Sequence, residues 1–195
     1  MSPILLLTGA PGTGKTTVAA LLARDAAMGL HLPGDLFFTF PAHPLSPYRP
    51  EAHAQNEAVL AALARTAAAF AAHGYDVVVE GIFGPWFLPL LARELLPAGH
   101  PVDYVVLRVP LETALRRVHA REGPAREHVV RQMHAALAEL GPYAGQVVET
   151  DGRTPQEVAE EVRRRRAEGA FALGLSEAVA RGAGDGGETP AAAPA

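Results

Sequence analysis

Residues 9–16 read Gly-Ala-Pro-Gly-Thr-Gly-Lys-Thr, the spacing G-x-x-x-x-G-K-T of a loop that cradles nucleotide phosphates. Gly9, Gly12 and Gly14 let successive backbone N–H groups turn toward phosphate oxygens, and a helix behind them adds its positive end. Lys15 is placed to reach the β- and γ-phosphates, and the Thr16 hydroxyl to ligate Mg²⁺. Ala10, Pro11, Thr13 and Thr17 complete the nucleotide-contacting stretch. Of the 17 Lys and Arg residues, Lys15 is the single lysine. An arginine bias of this kind reflects a genome's codon habit, so a lysine kept here points to use. An ammonium is a compact point charge that fits a tight backbone cradle, and a planar guanidinium does not.

Three further sets of residues have types suited to phosphate chemistry. Asp35 follows a Pro-Gly turn and precedes Leu36, Phe37 and Phe38. Apolar surroundings raise a carboxylate pKa, which suits a general base, while an Asp in this place equally suits the N-cap of a following turn. Glu80 closes the run Asp-Val-Val-Val-Glu. A carboxylate ending an apolar strand is costly unless engaged. It can hold Mg²⁺ through water, orient a substrate or an arginine, or form a buried ion pair. Arg117 and Arg121 are four apart and share one helical face, with Arg126 just beyond. On a segment that closes over the loop they would stabilise charge on a transferring phosphoryl group. Arg116 and the Arg163–Arg166 run read as solvated.

The elements that must position these groups alternate. Residues 3–8 form a continuous apolar run, as in a parallel strand buried on both faces. The glycine loop and a helix follow, ending near Gly29. Residues 30–32 form a brief second strand, and 41–50 a proline-rich connector without regular structure that suits a mobile flap. An Ala-rich helix covers 51–74, a β-branched strand 75–81, and a helix entered through Pro85 covers 85–96. A strand over 102–109 leads to helical segments at about 111–122 and 125–140. A last strand at 145–150 precedes a helix opened by a capping box, Thr154 with Glu157, with Pro155 at its first position. From about Ala183 the composition is Gly, Ala and Pro, which suits a disordered tail.

At 195 residues, 49% hydrophobic and 19% charged, the chain fits one packed domain. A net charge of -4 and a pI near 6.1 disfavour a general nucleic-acid partner. The chain has no cysteine, no apolar run near the roughly 20 residues needed to span a membrane, and no signal-peptide pattern. A cytoplasmic protein is expected. The eight histidines show no zinc-site spacing. No guanine-reading Asn-Lys-x-Asp occurs, since Asn56 is the only Asn, which favours ATP over GTP.

Taken in order, these motifs resemble the small P-loop kinases of the nucleoside-monophosphate, gluconate and shikimate kinase type. Most closely they resemble the chloramphenicol phosphotransferase-like group, over nearly the whole chain to about Arg166. The resemblance implies an α/β P-loop NTPase fold, a five-stranded parallel sheet with helices on both faces and a short helical lid. The kinase domain would span 1–168, with the lid at about 111–140, and a C-terminal extension 169–195. It implies that Asp35 is the base toward the acceptor hydroxyl and that Glu80 stands where Asp is more usual. Arg117 and Arg121 match the lid arginines and Gln132 a later glutamine. Asp151, Gly152 and Arg153 match the segment lining adenine. Pro124 departs from the pattern, standing where another Arg is usual.

The leading expectation is an ATP- and Mg²⁺-dependent kinase that moves the γ-phosphate to a hydroxyl of a small molecule, as a monomer or homodimer. A P-loop ATPase acting as a conformational or partner-binding switch is the alternative, and a nucleotide binder without catalysis a third reading. The acceptor pocket is expected from Asp35, Phe37, Phe38, Glu80, Phe83 and Trp86. These suit a neutral or mildly apolar alcohol, and Arg49 is the nearest cation an acidic acceptor could use.

Overall fold

The computed structural model describes residues 3–182, and the tail expected to be disordered from 183 lies outside them. Five parallel strands form one sheet: β1 (Ile4–Thr8), β2 (Gly29–Pro33), β3 (Asp76–Glu80), β4 (Val102–Arg108) and β5 (Val147–Glu149), in the order β2-β3-β1-β4-β5. β1 is central and every residue in it is buried, which accounts for its unbroken apolar run. Period-two alternation divides it between two cores. Ile4 and Leu6 face the side covered by α2 (His53–Ala72), α3 (Leu88–Leu95) and α5 (Glu127–Ala136). Leu5 and Leu7 face α1 (Lys15–Asp25) and α6 (Pro155–Ala167).

Because β3 and β4 flank β1, the chain reverses its direction of travel across the sheet there. Ligands of such sheets gather at the carboxyl ends of the strands beside that reversal. In register, Leu7 pairs with Glu80, which also pairs with Pro33 on its other side. The glycine loop, Asp35 and Glu80 thus emerge on one edge. Beyond β4, α4 (Leu111–Glu122) and α5 form the lid region, joined by a 3₁₀ turn at Pro124–Arg126.

Three local features add detail to this reading. The helix expected at 85–96 begins as a 3₁₀ turn, Pro85–Phe87, before α3. Pro89 falls in the first turn of α3, where its missing N–H breaks no intrahelical bond. The proline-rich connector is pinned to α2. Gln55 Nε2 donates to Leu45 O at 2.9 Å and Leu45 N donates to Gln55 Oε1 at 2.8 Å, while Asn56 Nδ2 donates to Pro47 O at 2.8 Å. Residues 169–182 also belong to the packed unit. Tyr104 N donates to Phe171 O and Leu173 N to Val102 O, so this segment covers the part of β4 that β5 does not reach. Phe171 is fully buried, and α7 (Leu175–Gly182) packs on α3. The capping box forms as the sequence reads, with Thr154 N donating to Glu157 Oε2 at 2.7 Å and Glu157 N to Thr154 Oγ1 at 3.3 Å.

Candidate functional site

The glycine loop is shaped by close approaches that exclude side chains. Gly12 has φ 88° and a Cβ there would lie 2.6 Å from Ala114 O. Gly14, at φ 92°, caps α1 in the left-handed region, and no side chain bonds to that end of the helix. Thr13 is buried, and its hydroxyl donates to Ala10 O at 2.9 Å, so its side chain braces the loop and only its backbone faces a ligand. The Thr150 hydroxyl, after β5, donates to Thr13 O at 3.2 Å. Arg117 Nη1 donates to Gly12 O at 3.1 Å and ties α4 to the loop from the other side. Loops of this shape offer N–H donors and a helix dipole to phosphate.

Lys15 Nζ donates to Ala10 O at 3.1 Å. Burial pulls its ammonium below the ordinary lysine range; the Glu80 and Asp35 carboxylates oppose that shift and the Arg121 guanidinium adds to it. Three charges from distant segments therefore act on Lys15. Glu80 is 6% exposed and accepts the Thr16 hydroxyl at 3.1 Å on Oε1. The same oxygen lies 4.0 Å from His31 Nε2, on β2, an atom that is buried without a hydrogen bond. Burial holds the His31 imidazole below its usual pKa, against the pull of Glu80. Among the described residues no three His, Cys, Asp or Glu side chains are grouped to hold a metal. The donor set is a hydroxyl and a carboxylate beside a phosphate cradle, which fits Mg²⁺, an ion commonly held by one or two carboxylates plus phosphate oxygens.

Asp35 lies in a 3₁₀ turn, Gly34–Thr39, whose N-cap is Pro33 without a side-chain hydrogen bond, so the aspartate does not cap it. Its carboxylate is exposed, not enclosed by the phenylalanines. It borders an apolar cleft between the 3₁₀ turn, α2 and the turn before α3. Of the pocket residues the sequence proposes, Asp35, Phe38, Phe83 and Trp86 line this cleft. Phe37 and Glu80 do not: Phe37 packs on the α2 core with its ring 5.1 Å from that of Phe40, and Glu80 sits on the phosphate side. Phe83 is fixed from two directions, since its N–H donates to Thr8 Oγ1 at 2.7 Å and its carbonyl accepts from Tyr104 OH at 2.7 Å.

In the lid, Glu122 gathers two arginines. Arg121 donates to Oε1 through Nε, at 2.7 Å, and through Nη2; Arg126 Nη1 donates to Oε2 at 3.1 Å. The Arg121 contact, with Arg126 behind it, holds the Glu122 carboxyl below its usual range. Arg126 Nη2 also donates to Tyr48 OH at 3.3 Å, which joins lid to connector beside the cleft. Arg116 donates to Thr113 Oγ1, and Thr113 donates to Asp151 Oδ1 at 3.0 Å. Arg153, expected near adenine, has its guanidinium on Glu149 O and Glu157 O at 3.0 Å and on Glu161 at 2.6 Å. Its side chain anchors α6, and the Asp151 carboxylate is taken by Thr113. Gln132 lines the cleft. The sequence reading misses His31, Tyr48, Asn56, Glu122 and Thr150 as site residues. A histidine between two leucines of a strand, and a lone Asn in an Ala-rich helix, were the visible signals.

Residues 5–134 match the family described as an AAA domain. A shikimate kinase of Salinispora tropica is 34% identical over 180 residues, covering 83% of this chain and 96% of that protein. Among solved structures, a sugar kinase from Janibacter sp. HTCC2649 superposes with TM-score 0.66 at 22% identity, over 84% of this chain and 94% of that one. The Mycobacterium tuberculosis APS kinase, solved with AMPPNP and APS, superposes with TM-score 0.62 at 23% identity, over 84% and 96%. At these identities the structural likeness is one of fold.

Proposed function

The chain belongs to the AAA-domain family and has the P-loop kinase fold, and on that premise we propose that it is an ATP- and Mg²⁺-dependent kinase acting on a hydroxyl of a small molecule. One observation carries this reading. Asp35 borders the apolar cleft and also lies within electrostatic reach of Lys15. It is the group common to the phosphate cradle and to a place where an acceptor can sit.

In this mechanism the loop N–H groups and Lys15 hold the β- and γ-phosphates of ATP, and Thr16 with Glu80 would supply the oxygens for Mg²⁺. When bound, that ion would add positive charge against the phosphate oxygens. Asp35 accepts the proton of the acceptor hydroxyl as its oxygen bonds to the γ-phosphorus and the bond to ADP breaks. Arg117 and Arg121 stabilise charge on the moving phosphoryl group. Arg117 is already at the loop through Gly12 O. Arg121 must leave Glu122 to take part, and it is near enough to Lys15 to affect its charge.

The test is ADP release by purified protein with ATP and Mg²⁺, with and without pooled hydroxyl compounds. Release that depends on an acceptor supports the kinase. Release that ignores acceptors but responds to a protein partner would identify a switch instead.

A further inference from the structure

The cleft beside Asp35 has a chemistry of its own. Its walls are apolar, built from Phe38, Leu60, Ile82, Phe83, Trp86 and Met133, and Asp35 is the one charged residue that lines it. The other polar lining side chains are neutral: Tyr48, Asn56, Gln132 and the indole N–H of Trp86. Two of these residues carry atoms that are closed to solvent and make no hydrogen bond among the described residues, Asn56 Oδ1 and Trp86 Nε1. Asn56 is only 3% exposed, and its amide orientation is fixed because Nδ2 donates to Pro47 O at 2.8 Å. That bond leaves Oδ1 as an unsatisfied acceptor, while Trp86 Nε1 is an unsatisfied donor. A buried polar atom without a partner costs about 1–3 kcal/mol, and native structures keep few of them.

Cations are scarce at this place. Arg126 is the nearest to the cleft that the contacts reveal, and it is engaged by Glu122 and Tyr48. Arg49 of the connector is exposed and does not line the cleft. An acidic acceptor would lose its hydration among aromatic walls and face the Asp35 carboxylate, with no cation among the described residues lining the cleft to offset either cost.

Resting on the kinase reading above, we propose that the acceptor is an uncharged hydroxyl compound with an apolar or aromatic body. As it enters, the side chains of the cleft shift so that one donor group on it pairs with Asn56 Oδ1 and one acceptor group with Trp86 Nε1. The chain therefore differs in acceptor class from a kinase of shikimate, whose carboxylate is an anion at neutral pH.

Trp86 is the only tryptophan of the chain, so intrinsic fluorescence reports on the cleft directly. Two probe pairs differ in charge at nearly constant shape: methyl shikimate against shikimate, and 3-phenylpropane-1,2-diol against phenyllactate. Each is titrated into the full chain with fluorescence as the readout, and ADP release is measured in parallel. The neutral member of each pair is expected to bind at least about tenfold more tightly than its carboxylate. Asn56→Ala should weaken the neutral member about threefold to tenfold, with far-ultraviolet circular dichroism checking the fold. Trp86→Phe, followed by calorimetry, should weaken it by a similar factor and leave ATP affinity unchanged. Equal or tighter binding of the carboxylates overturns the proposal, as does no response to either neutral probe. Unchanged affinity in both variants overturns the assignment of Asn56 and Trp86. Neutral-selective binding without any ADP release would sink the kinase reading and leave the class of ligand standing.

Discussion

Glu80 Oε1 accepts the Thr16 hydroxyl at 3.1 Å, which joins the first turn of α1 to the end of β3. A hydroxyl and a carboxylate from distant segments are thus held together beside Lys15 before any ligand arrives. If this pair serves Mg²⁺, Glu80→Ala should raise the Mg²⁺ concentration for half-maximal ADP release by about 10–100-fold. A Mg²⁺ titration of activity checks it. An unchanged profile would mean that Glu80 only braces Thr16.

Lys15 has no substitute in the loop. Lys15→Ala should lower kcat by about 10² or more, as the loss of one preorganised donor does. Lys15→Arg should rescue little of it, because the guanidinium fork does not fit the cradle. Steady-state rates on folded variants decide.

Asp35→Asn keeps the shape of the side chain and removes its capacity to take a proton. Turnover should fall by about 10²–10⁴, while ATP affinity measured by calorimetry stays near that of the unaltered chain. Intact turnover would dismiss Asp35 as the base.

The His31 imidazole is held below its usual pKa of 6.5 by burial, with Glu80 opposing. A depressed folded pKa means that the unfolded chain takes the proton first. The stability His31 contributes is therefore complete above about pH 6.5 and is lost as pH falls through the folded pKa. His31→Gln should flatten the fall in Tm between about pH 7.5 and pH 5. Thermal unfolding across that range tests the sign, and an identical slope in the variant would contradict it.

Gly84 lies under the Trp86 indole, and a Cβ there would run into the ring. Gly84→Ala should shift Trp86 fluorescence and raise the acceptor KM while ATP binding is retained. A spectrum and KM unchanged from the original would show that the indole is not seated by this contact.

Much of the architecture was legible residue by residue. The run Ile4–Thr8 declares a doubly buried strand because it is apolar at both parities, and Thr154 with Glu157 announces a helix start because capping chemistry is local. The C-terminal segment was not: nothing in residues 169–174 says that β4 leaves an edge for them to cover, since that edge exists only after β5 proves short.

The sequence by itself determined the phosphate cradle and the order of strands and helices around it. Both rest on spacing within a few residues, on the conformational freedom of glycine and on the period of burial. Tertiary structure decided which of the residues expected at the pocket line the cleft, and which others join them. Phe37 and Phe38 are neighbours of one type, yet one enters the core and the other the cleft. Asn56 and Trp86 meet there from α2 and from the turn before α3, and Arg153 turns to α6. Which way a side chain faces, and what it meets, depends on packing between distant segments, and no local pattern encodes that.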